Sequence, residues 1–377
     1  MKRGWRLAAA ALIALAVVGC SDTGPQPAEL VKFKPEVKAK VAWKASAGDS
    51  EPYLFTPALW EGDYFIAGTE GGVRRLDGRN GRRKWSVSLK DPLSGGVEAG
   101  DGFVFVGTAR GEVLALDAAT GKLKWRANAA SEVLSAPVLS DSIVVVRSGD
   151  GRIAGFDVAD GTRKWEYLPV NPPALIIRNP FRVRIVDGVV YAGLAGGRMV
   201  ALRLSNGSLV WEAAVSQPKG ETELERVTDV LSTPVVEGGQ ACAVSFQGRI
   251  ACFDAARGAL SWARNASSPG GLAASATAFF FVDETGSVHA VDRTSGASLW
   301  KLDQFSYRSP GAPAVVGRYV VVGDFEGYLH FLSQDDGRVV GRLSTDGSAI
   351  SMAPMVVGEN NLAAQTTEGH LYAVTVR

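Results

Sequence analysis

Short runs of alternating apolar and polar residues recur along almost the whole chain. In the plainest copy a turn glycine, Gly111, precedes an alternating run that ends at Asp117; Gly121 follows four positions later and Trp125 eight positions later. Period-two alternation bounded by Gly and Asp is typical of β-strands joined by tight turns. No stretch of ten residues shows a 3.6-residue period, so the pattern predicts a protein built from short strands.

This pattern is a repeat of about forty residues. The turn glycine recurs at Gly72, Gly111, Gly151, Gly197, Gly248, Gly286, Gly327 and Gly369. The tryptophan recurs at Trp85, Trp125, Trp165, Trp211, Trp262 and Trp300. Upstream of each turn lie a second alternating run and a short segment that often contains Ala-Pro or Thr-Pro. Four short strands per repeat form one propeller blade. The predicted fold is therefore all-β, an eight-bladed β-propeller with four-stranded antiparallel blades, spanning residues 39–377.

The ends of the repeat predict how the ring closes. The last copy begins at Gly369 but the sequence ends before its tryptophan strand, whereas Trp43 lies in a tryptophan strand that has no blade before it. We expect the N-terminal strand to join the last blade and complete it, since an open ring would leave unpaired strand edges. One tryptophan per blade favours packing in the seam between neighbouring blades, and blade seven departs from the pattern with Gly341.

The first residues have the features of a processing signal. A basic start is followed by an apolar run, Leu7 to Val18, which is too short to span a bilayer but suits a signal peptide. The run ends at Cys20 in a segment that resembles a bacterial lipobox, and Ser21 follows. We expect a signal peptide over 1–19, lipidation of Cys20, sorting to the outer membrane, and a flexible tether over 20–38. The alternative is an ordinary signal peptide with a chance cysteine.

Composition narrows the choice of function. The chain has 40 Lys+Arg and 39 Asp+Glu, so no basic excess indicates nucleic-acid binding. Motifs for serine hydrolases, zinc proteases and nucleotide-binding loops are absent. The three histidines, His289, His330 and His370, show no metal-ligand spacing, so no metal, cofactor or enzymatic activity is expected.

Cys242 and Cys252 flank a predicted hairpin turn and form either a disulfide or a pair of buried free thiols.

The repeat is longest at two consecutive connections between blades. Both Trp165 to Trp211 and Trp211 to Trp262 are wider than the other tryptophan intervals, and the extra residues fall at about 168–182 and 215–231. Loops longer than the scaffold needs are where function concentrates. The first loop contains Leu175-Ile176-Ile177-Arg178, which indicates either a partner-docking edge or a small apolar cluster folded inward.

Beyond this pattern, the chain resembles the BamB family of outer-membrane lipoproteins. The resemblance is carried by the lipobox, the tether and ordered landmarks. The landmarks are Leu93-Ser-Gly-Gly-Val97, Leu134-Ser-Ala-Pro137, Asp229-Val-Leu-Ser-Thr-Pro234 and Gly323-Asp-Phe-Glu-Gly-Tyr-Leu-His330. It implies a scaffold at the periplasmic face of the outer membrane, within the β-barrel assembly (BAM) machinery.

The same resemblance implies partners and contact residues. The family's propeller binds the POTRA domains of BamA through the two long loops. The positions that match are Leu175, Ile177, Arg178 and Asp229, and Ile176 lies among them; Leu231 replaces a second acidic residue. The rest of the BAM complex, the inner leaflet of the outer membrane and unfolded client barrels are further implied partners.

Two other classes share this repeat. A quinone-dependent dehydrogenase would need an adjacent pair of cysteines and calcium ligands, and no two of the three cysteines are adjacent. A periplasmic propeller that binds a sugar or another ligand is the other alternative.

Overall fold

The computed structural model describes residues 25–170 and 172–377 as eight four-stranded antiparallel sheets. No helix occurs among these residues, and none of their segments could cross a membrane as a helix. The predicted all-β, eight-bladed propeller is confirmed. The expected signal peptide (1–19) and Cys20 lie outside the described residues.

The sheets form blades in chain order, each running from an innermost to an outermost strand. Blades one and two comprise β2 (Ala58–Trp60), β3 (Asp63–Ala67), β4 (Gly72–Asp77), β5 (Arg83–Ser88), β6 (Leu93–Gly100), β7 (Phe103–Thr108), β8 (Glu112–Asp117) and β9 (Leu123–Asn128). Blades three and four comprise β10 (Val138–Ser140), β11 (Ile143–Arg147), β12 (Ile153–Asp157), β13 (Arg163–Tyr167), β14 (Arg184–Val186), β15 (Val189–Leu194), β16 (Arg198–Arg203) and β17 (Leu209–Ala214).

The second half of the ring follows the same order. Blades five and six comprise β18 (Val235–Glu237), β19 (Gln240–Val244), β20 (Gly248–Asp254), β21 (Leu260–Ala266), β22 (Leu272–Ala274), β23 (Ala278–Val282), β24 (Val288–Asp292) and β25 (Ser298–Leu302). Blades seven and eight comprise β26 (Ala314–Val316), β27 (Tyr319–Gly323), β28 (Tyr328–Ser333), β29 (Val339–Ser344), β30 (Met355–Val356), β31 (Asn361–Gln365), β32 (His370–Val376) and β1 (Ala39–Ser46).

Blade eight closes the ring with both ends of the chain. Strand β1 pairs antiparallel with β32, with Ala39 opposite Val376 and Ser46 opposite His370. The N-terminal strand is thus the outermost strand of the last blade, as the split repeat predicts. Closure gives β32 a hydrogen-bonded neighbour on each side, β31 and β1.

The core lies in the seams between blades. The second strand of most blades is buried on both faces, as in β11 and β23, because each blade packs against a neighbour on either side. The tryptophans extend these seams outward. Trp125 is 8% exposed, packs near Phe105 and donates its indole N–H to the carbonyl of Val158 in the next blade, at 2.9 Å.

The glycine of the Asp-to-Gly turn makes room for this packing. Gly161 has φ +75°, and a Cβ there would lie 2.6 Å from Cε3 of Trp125. Trp165 and Trp300 donate in the same way to Leu204 and Gln334, both at 2.7 Å. The repeat therefore encodes one recurring contact, in which the tryptophan of one blade covers the turn of the next.

Blade seven lacks a tryptophan because the turn that would receive it does not exist. In blade eight the third and fourth strands come from opposite ends of the chain, so no Asp-to-Gly turn joins them. Val37, 5% exposed, fills the space beside Gly341, whose added Cβ would lie 3.1 Å from the Val37 Cβ. The flexible tether expected over 20–38 is therefore wrong for residues 28–38, which pack against the propeller.

The two remaining cysteines face each other across a hairpin. Cys242 in β19 is directly opposite Cys252 in β20, and the structure joins them in a disulfide. Both side chains are buried, at 1% and 0% exposure. Of the two possibilities left open by the sequence, the bonded pair is the one in this structure.

Candidate partner-docking site

Two long connections lie side by side on one face of the propeller. Residues 168–183 join blade three to blade four, and residues 215–234 join blade four to blade five. Each connection between blades begins at the end of an outermost strand, on the same side of the disc as the turn between the second and third strands. In blade four, for example, the Ser216 N–H just after the outermost strand donates to the Gly197 carbonyl of that turn at 3.0 Å. We call this side of the disc the loop face.

The two connections enclose a cleft of about 190 Å³. Its walls include Val170, Pro172 and Ile176 from the first connection and Pro218 from the second. The two connections are neighbours in the fold because both flank blade four.

Asp229 holds the two connections together. Its side chain is buried, with the residue 2% exposed, and one carboxylate oxygen accepts the Ile177 N–H at 2.7 Å. The other oxygen accepts the Gly196 N–H at 3.0 Å. Asp229 thus shapes the first loop from beneath and presents no acidic group to a partner, which differs from the contact role the resemblance implied. Leu231 is also buried, at 3% exposed.

A buried arginine supports the same loop from the side of blade three. Arg147, 8% exposed, donates to Oδ1 of Asn179 at 2.8 Å, and Asn179 Nδ2 donates to the Ile177 carbonyl at 3.1 Å. Burial lowers the pKa of Arg147 to about 10, and the nearby Asp229 carboxylate opposes that shift. The Asp229 carboxylate and the Asn179 side chain therefore bond the N–H and the carbonyl of Ile177 and hold the loop at this residue.

The segment 175–178 divides its side chains between solvent and cleft. Leu175 is exposed, at 46%, whereas Ile176 and Ile177 are half-buried and Ile176 lines the cleft. The Arg178 side chain is 60% exposed and forms an ion pair with Glu132 of the neighbouring connection. The sequence left open whether the triplet points outward or inward; the structure shows one outward leucine next to an accessible arginine.

Further apolar side chains on the same loops are exposed and were missed by the sequence reasoning. Leu168 is 54% exposed and Val170 67% exposed on the first connection, and Leu224 is 72% exposed on the second. The sequence did contain a signal for them, because each is an apolar residue in the part of a connection that exceeds the repeat. Together with Leu175 they give the two connections four accessible aliphatic side chains.

Two of the three histidines, His289 and His330, pair with an aspartate of their own blade. His289 Nε2 lies 2.7 Å from Asp283, and His330 Nε2 lies 3.0 Å from Asp324, so each pairs with the aspartate six residues before it. Within the described ranges one group, Asp346 with Glu368 and His370, brings three potential metal-ligand atoms within 4.8 Å of one another.

The central channel is narrowed by the end of the first long connection. Phe181 packs against Gly271, and Arg182 forms an ion pair with Glu98 of blade two and donates to the Pro137 carbonyl at 3.1 Å. Burial raises the pKa of Glu98, while Arg182 opposes the shift. Arg182 lines two cavities here, of about 380 and 500 Å³.

These features define a class of protein: a closed propeller of tryptophan-bearing repeats, in which the two connections longer than the repeat requires form a docking edge on one face. The family model described as outer membrane protein assembly factor BamB matches residues 69–302. The chain is 46% identical to the BamB of Pseudomonas aeruginosa over 379 residues, covering 99% of each chain. It is 37% identical to the BamB of Burkholderia pseudomallei over 370 residues, covering 98% of this chain and 97% of that one. The chain belongs to the BamB family of outer membrane protein assembly factors.

Solved structures give the same placement. The crystal structure of BamB from Moraxella catarrhalis superposes with a TM-score of 0.82 at 28% identity, covering 90% of this chain and all of that one. A quinohemoprotein alcohol dehydrogenase from Comamonas testosteroni reaches a TM-score of 0.71 at 15% identity, covering 89% of this chain and 76% of that one. The second likeness shows a shared fold alone.

Proposed function

We propose that this chain is a non-enzymatic scaffold of the BAM complex that binds the POTRA domains of BamA through the loop face. One observation carries the proposal: the two connections that exceed the repeat meet on a single face, where they expose aliphatic side chains and Arg178. Exposed apolar anchors beside an arginine, on a backbone held from below, are the composition of a protein-binding hot spot.

The anchor to the membrane is the second part of the proposal. Cys20 would carry the lipid and hold the propeller at the periplasmic face of the outer membrane, where the BAM complex receives unfolded barrel proteins. Stable anchoring needs more than one acyl chain, which a lipidated N-terminal cysteine supplies. A rigid disc held in this way would fix the orientation of the partner's periplasmic domains without making or breaking a bond.

Each loop residue has a defined part in the proposed contact. Leu175 and Arg178 are accessible and would touch the partner, with Ile177 contributing the edge of its half-buried side chain. Asp229 would act as a positioning residue, because its carboxylate already binds two backbone N–H groups. Ile176 would support the loop from the cleft.

The test is a binding measurement between the purified chain and the periplasmic region of BamA. Leu175→Asp and Arg178→Glu should each weaken binding by at least about 30-fold, the equivalent of a hot-spot loss near 2 kcal/mol. Leu209→Asp is the matched control, since Leu209 is similarly exposed, at 52%, but lies on the outer strand of blade four. Unchanged melting temperatures would show that the variants fold.

Asp229→Ala separates positioning from contact. It should weaken binding although Leu175 and Arg178 are unchanged, because the N–H groups of Ile177 and Gly196 lose their acceptor and the loop loses its fixed position. Full binding by both Leu175→Asp and Arg178→Glu would place the interface elsewhere and reject the proposal.

A further inference from the structure

The N-terminal segment 28–38, which we call the strap, follows the outer edge of blade seven. At its start the Ala28 N–H donates to the Ser306 carbonyl at 2.9 Å. At its end the N–H groups of Glu36 and Val37 both donate to the Val340 carbonyl, at 2.8 and 3.1 Å. The strap therefore covers the strand edge of β29 and leads into β1.

The middle of the strap is held by apolar and cationic contacts. Val31 and Phe33 pack against the apolar cluster shared by blades six and seven. The Arg342 guanidinium lies 5.1 Å from the centre of the Phe33 ring and donates to the Val31 carbonyl at 3.2 Å. Lys32, between them, is exposed. Alternating buried and exposed side chains show that the strap is bound to the propeller as an extended strand would be.

A buried charge network fixes the start of the strap. Arg308, 3% exposed, donates to the Ala28 carbonyl at 3.1 Å and to Asp324 at 2.7 Å. Asp324 is fully buried and also contacts His330 Nε2 at 3.0 Å. Two nitrogens of Arg308 donate to the same Asp324 oxygen, which holds the guanidinium beside the Ala28 carbonyl.

The two ends of the strap lie on opposite faces of the disc. Ala28 contacts the connection 303–313 that follows β25, and this connection leaves blade six on the loop face, as 168–183 leaves blade three. Lys38 pairs with Arg377, which follows the end of β32 that is farthest from the turn at Gly369. The chain therefore enters at the loop face and crosses the edge of blade seven to the other face.

We propose that the strap brings the membrane anchor out on the loop face, so that the anchored protein turns this face, with its docking loops, toward the lipid surface. The inference rests on the proposed lipidation of Cys20. From Cys20 to Ala28 the chain spans at most about 28 Å, at ~3.5 Å per residue. Blade seven is opposite blade three in an eight-bladed ring, so the docking loops lie across the disc from the anchor.

Energy transfer from labelled protein to labelled lipid tests the orientation. The full-length lipidated chain is bound to phospholipid vesicles that carry an acceptor on their head groups. A donor is placed at Leu224→Cys on the loop face or at Ser205→Cys, an exposed turn of the same blade on the opposite face. Cys242 and Cys252 are bonded to each other and do not compete for the label. We expect higher transfer from position 224; equal or higher transfer from position 205 overturns the proposal.

A strap variant shows whether the strap is the cause. Changing Val31, Phe33 and Val37 together to serine removes the apolar side chains that hold the strap without changing a residue of a blade, and should bring the transfer from the two positions together. The free chain would then reach from Cys20 to Lys38, about 60 Å when extended. Lys32→Ser is the matched control and should keep the difference. A difference that persists when all three strap residues are serine rejects the role of the strap.

The outcome is separable from that of the proposed function. The vesicles contain no protein partner, so a failure of BamA binding leaves this measurement unaffected. Flotation of the vesicles reports the anchor itself. A chain that does not float overturns both the anchor and the orientation, whereas the loop contact with BamA stands or falls on its own binding measurement.

Discussion

Removal of the Trp125 indole tests the seam contact that the repeat encodes. The residue is 8% exposed, and its N–H donates to the Val158 carbonyl of the next blade. Burial of a tryptophan removes roughly 150–250 Å² from water, an upper value of ~4–6 kcal/mol at 25 cal/mol/Å². Large-to-alanine changes of buried aromatic residues cost about 3–5 kcal/mol, and the orphaned carbonyl adds to this. We expect Trp125→Ala to lower the free energy of unfolding by about 4 kcal/mol.

The assay is thermal and urea denaturation followed by near-ultraviolet circular dichroism. With an unfolding entropy of about 2.1 cal/mol/K per residue, a loss of this size lowers the melting temperature by about 5 °C. Leu123→Ala on the same strand is the matched control, since Leu123 is 42% exposed, and should cost less than about 1 kcal/mol. If Trp125→Ala melted at the native temperature, the assignment of the tryptophan to a stabilising seam would be refuted.

Three further results are expected. Gly161→Ala should destabilise the protein more than Gly102→Ala, because Gly102 has a similar φ of +82° but open space where a Cβ would lie. The Gly102 change should cost about 1–2 kcal/mol. Equal losses of unfolding free energy in urea denaturation would show that the contact of Gly161 with Trp125 does not matter. Reduction of Cys242 and Cys252, or their joint change to serine, should cost about 2–3 kcal/mol from loop closure, measured with and without reductant; an unchanged urea midpoint would contradict this. Burial alone would raise the pKa of Asp324, but hydrogen bonds from a buried histidine, a backbone N–H group and an arginine lower this pKa overall. The ionised Asp324 therefore stabilises the folded protein above the ordinary aspartate pKa, and this stabilisation is lost as the pH falls through the pKa of Asp324 in the folded state. Asp324→Asn should therefore flatten the loss of stability below about pH 4, and an unaltered acid limb would show that this carboxylate does not contribute.

The regular parts of the fold could be predicted because they are local. Alternation, the Asp-to-Gly turn and the spacing of the tryptophans are short-range features, and each blade repeats them. Gly341 was visible as a departure, but its reason was not: it depends on Val37, which comes from the other end of the chain. The same contact explains why a segment rich in Lys, Glu and Pro, expected to be flexible, packs against blade seven.

The candidate site was predicted in position and only partly in detail. The lengths of two intervals located the loops, and their placement around blade four follows from the order of blades. Asp229 was assigned to a contact from its place in a motif, yet its carboxylate lies under the loop and bonds two backbone N–H groups. Whether a charged side chain faces a partner or the interior depends on neighbours distant in sequence, such as Ile177, and no local pattern records them.

The sequence by itself determined the eightfold repeat, the split last blade and the two connections that exceed the repeat, because each of these is written in spacing and period along one chain. The tertiary structure decided which side chains of those connections are accessible, how Arg147 and Asp229 hold them, and that the strap enters on the loop face. These depend on contacts between blades that only closure of the ring brings together, since residues far apart in the chain become neighbours there.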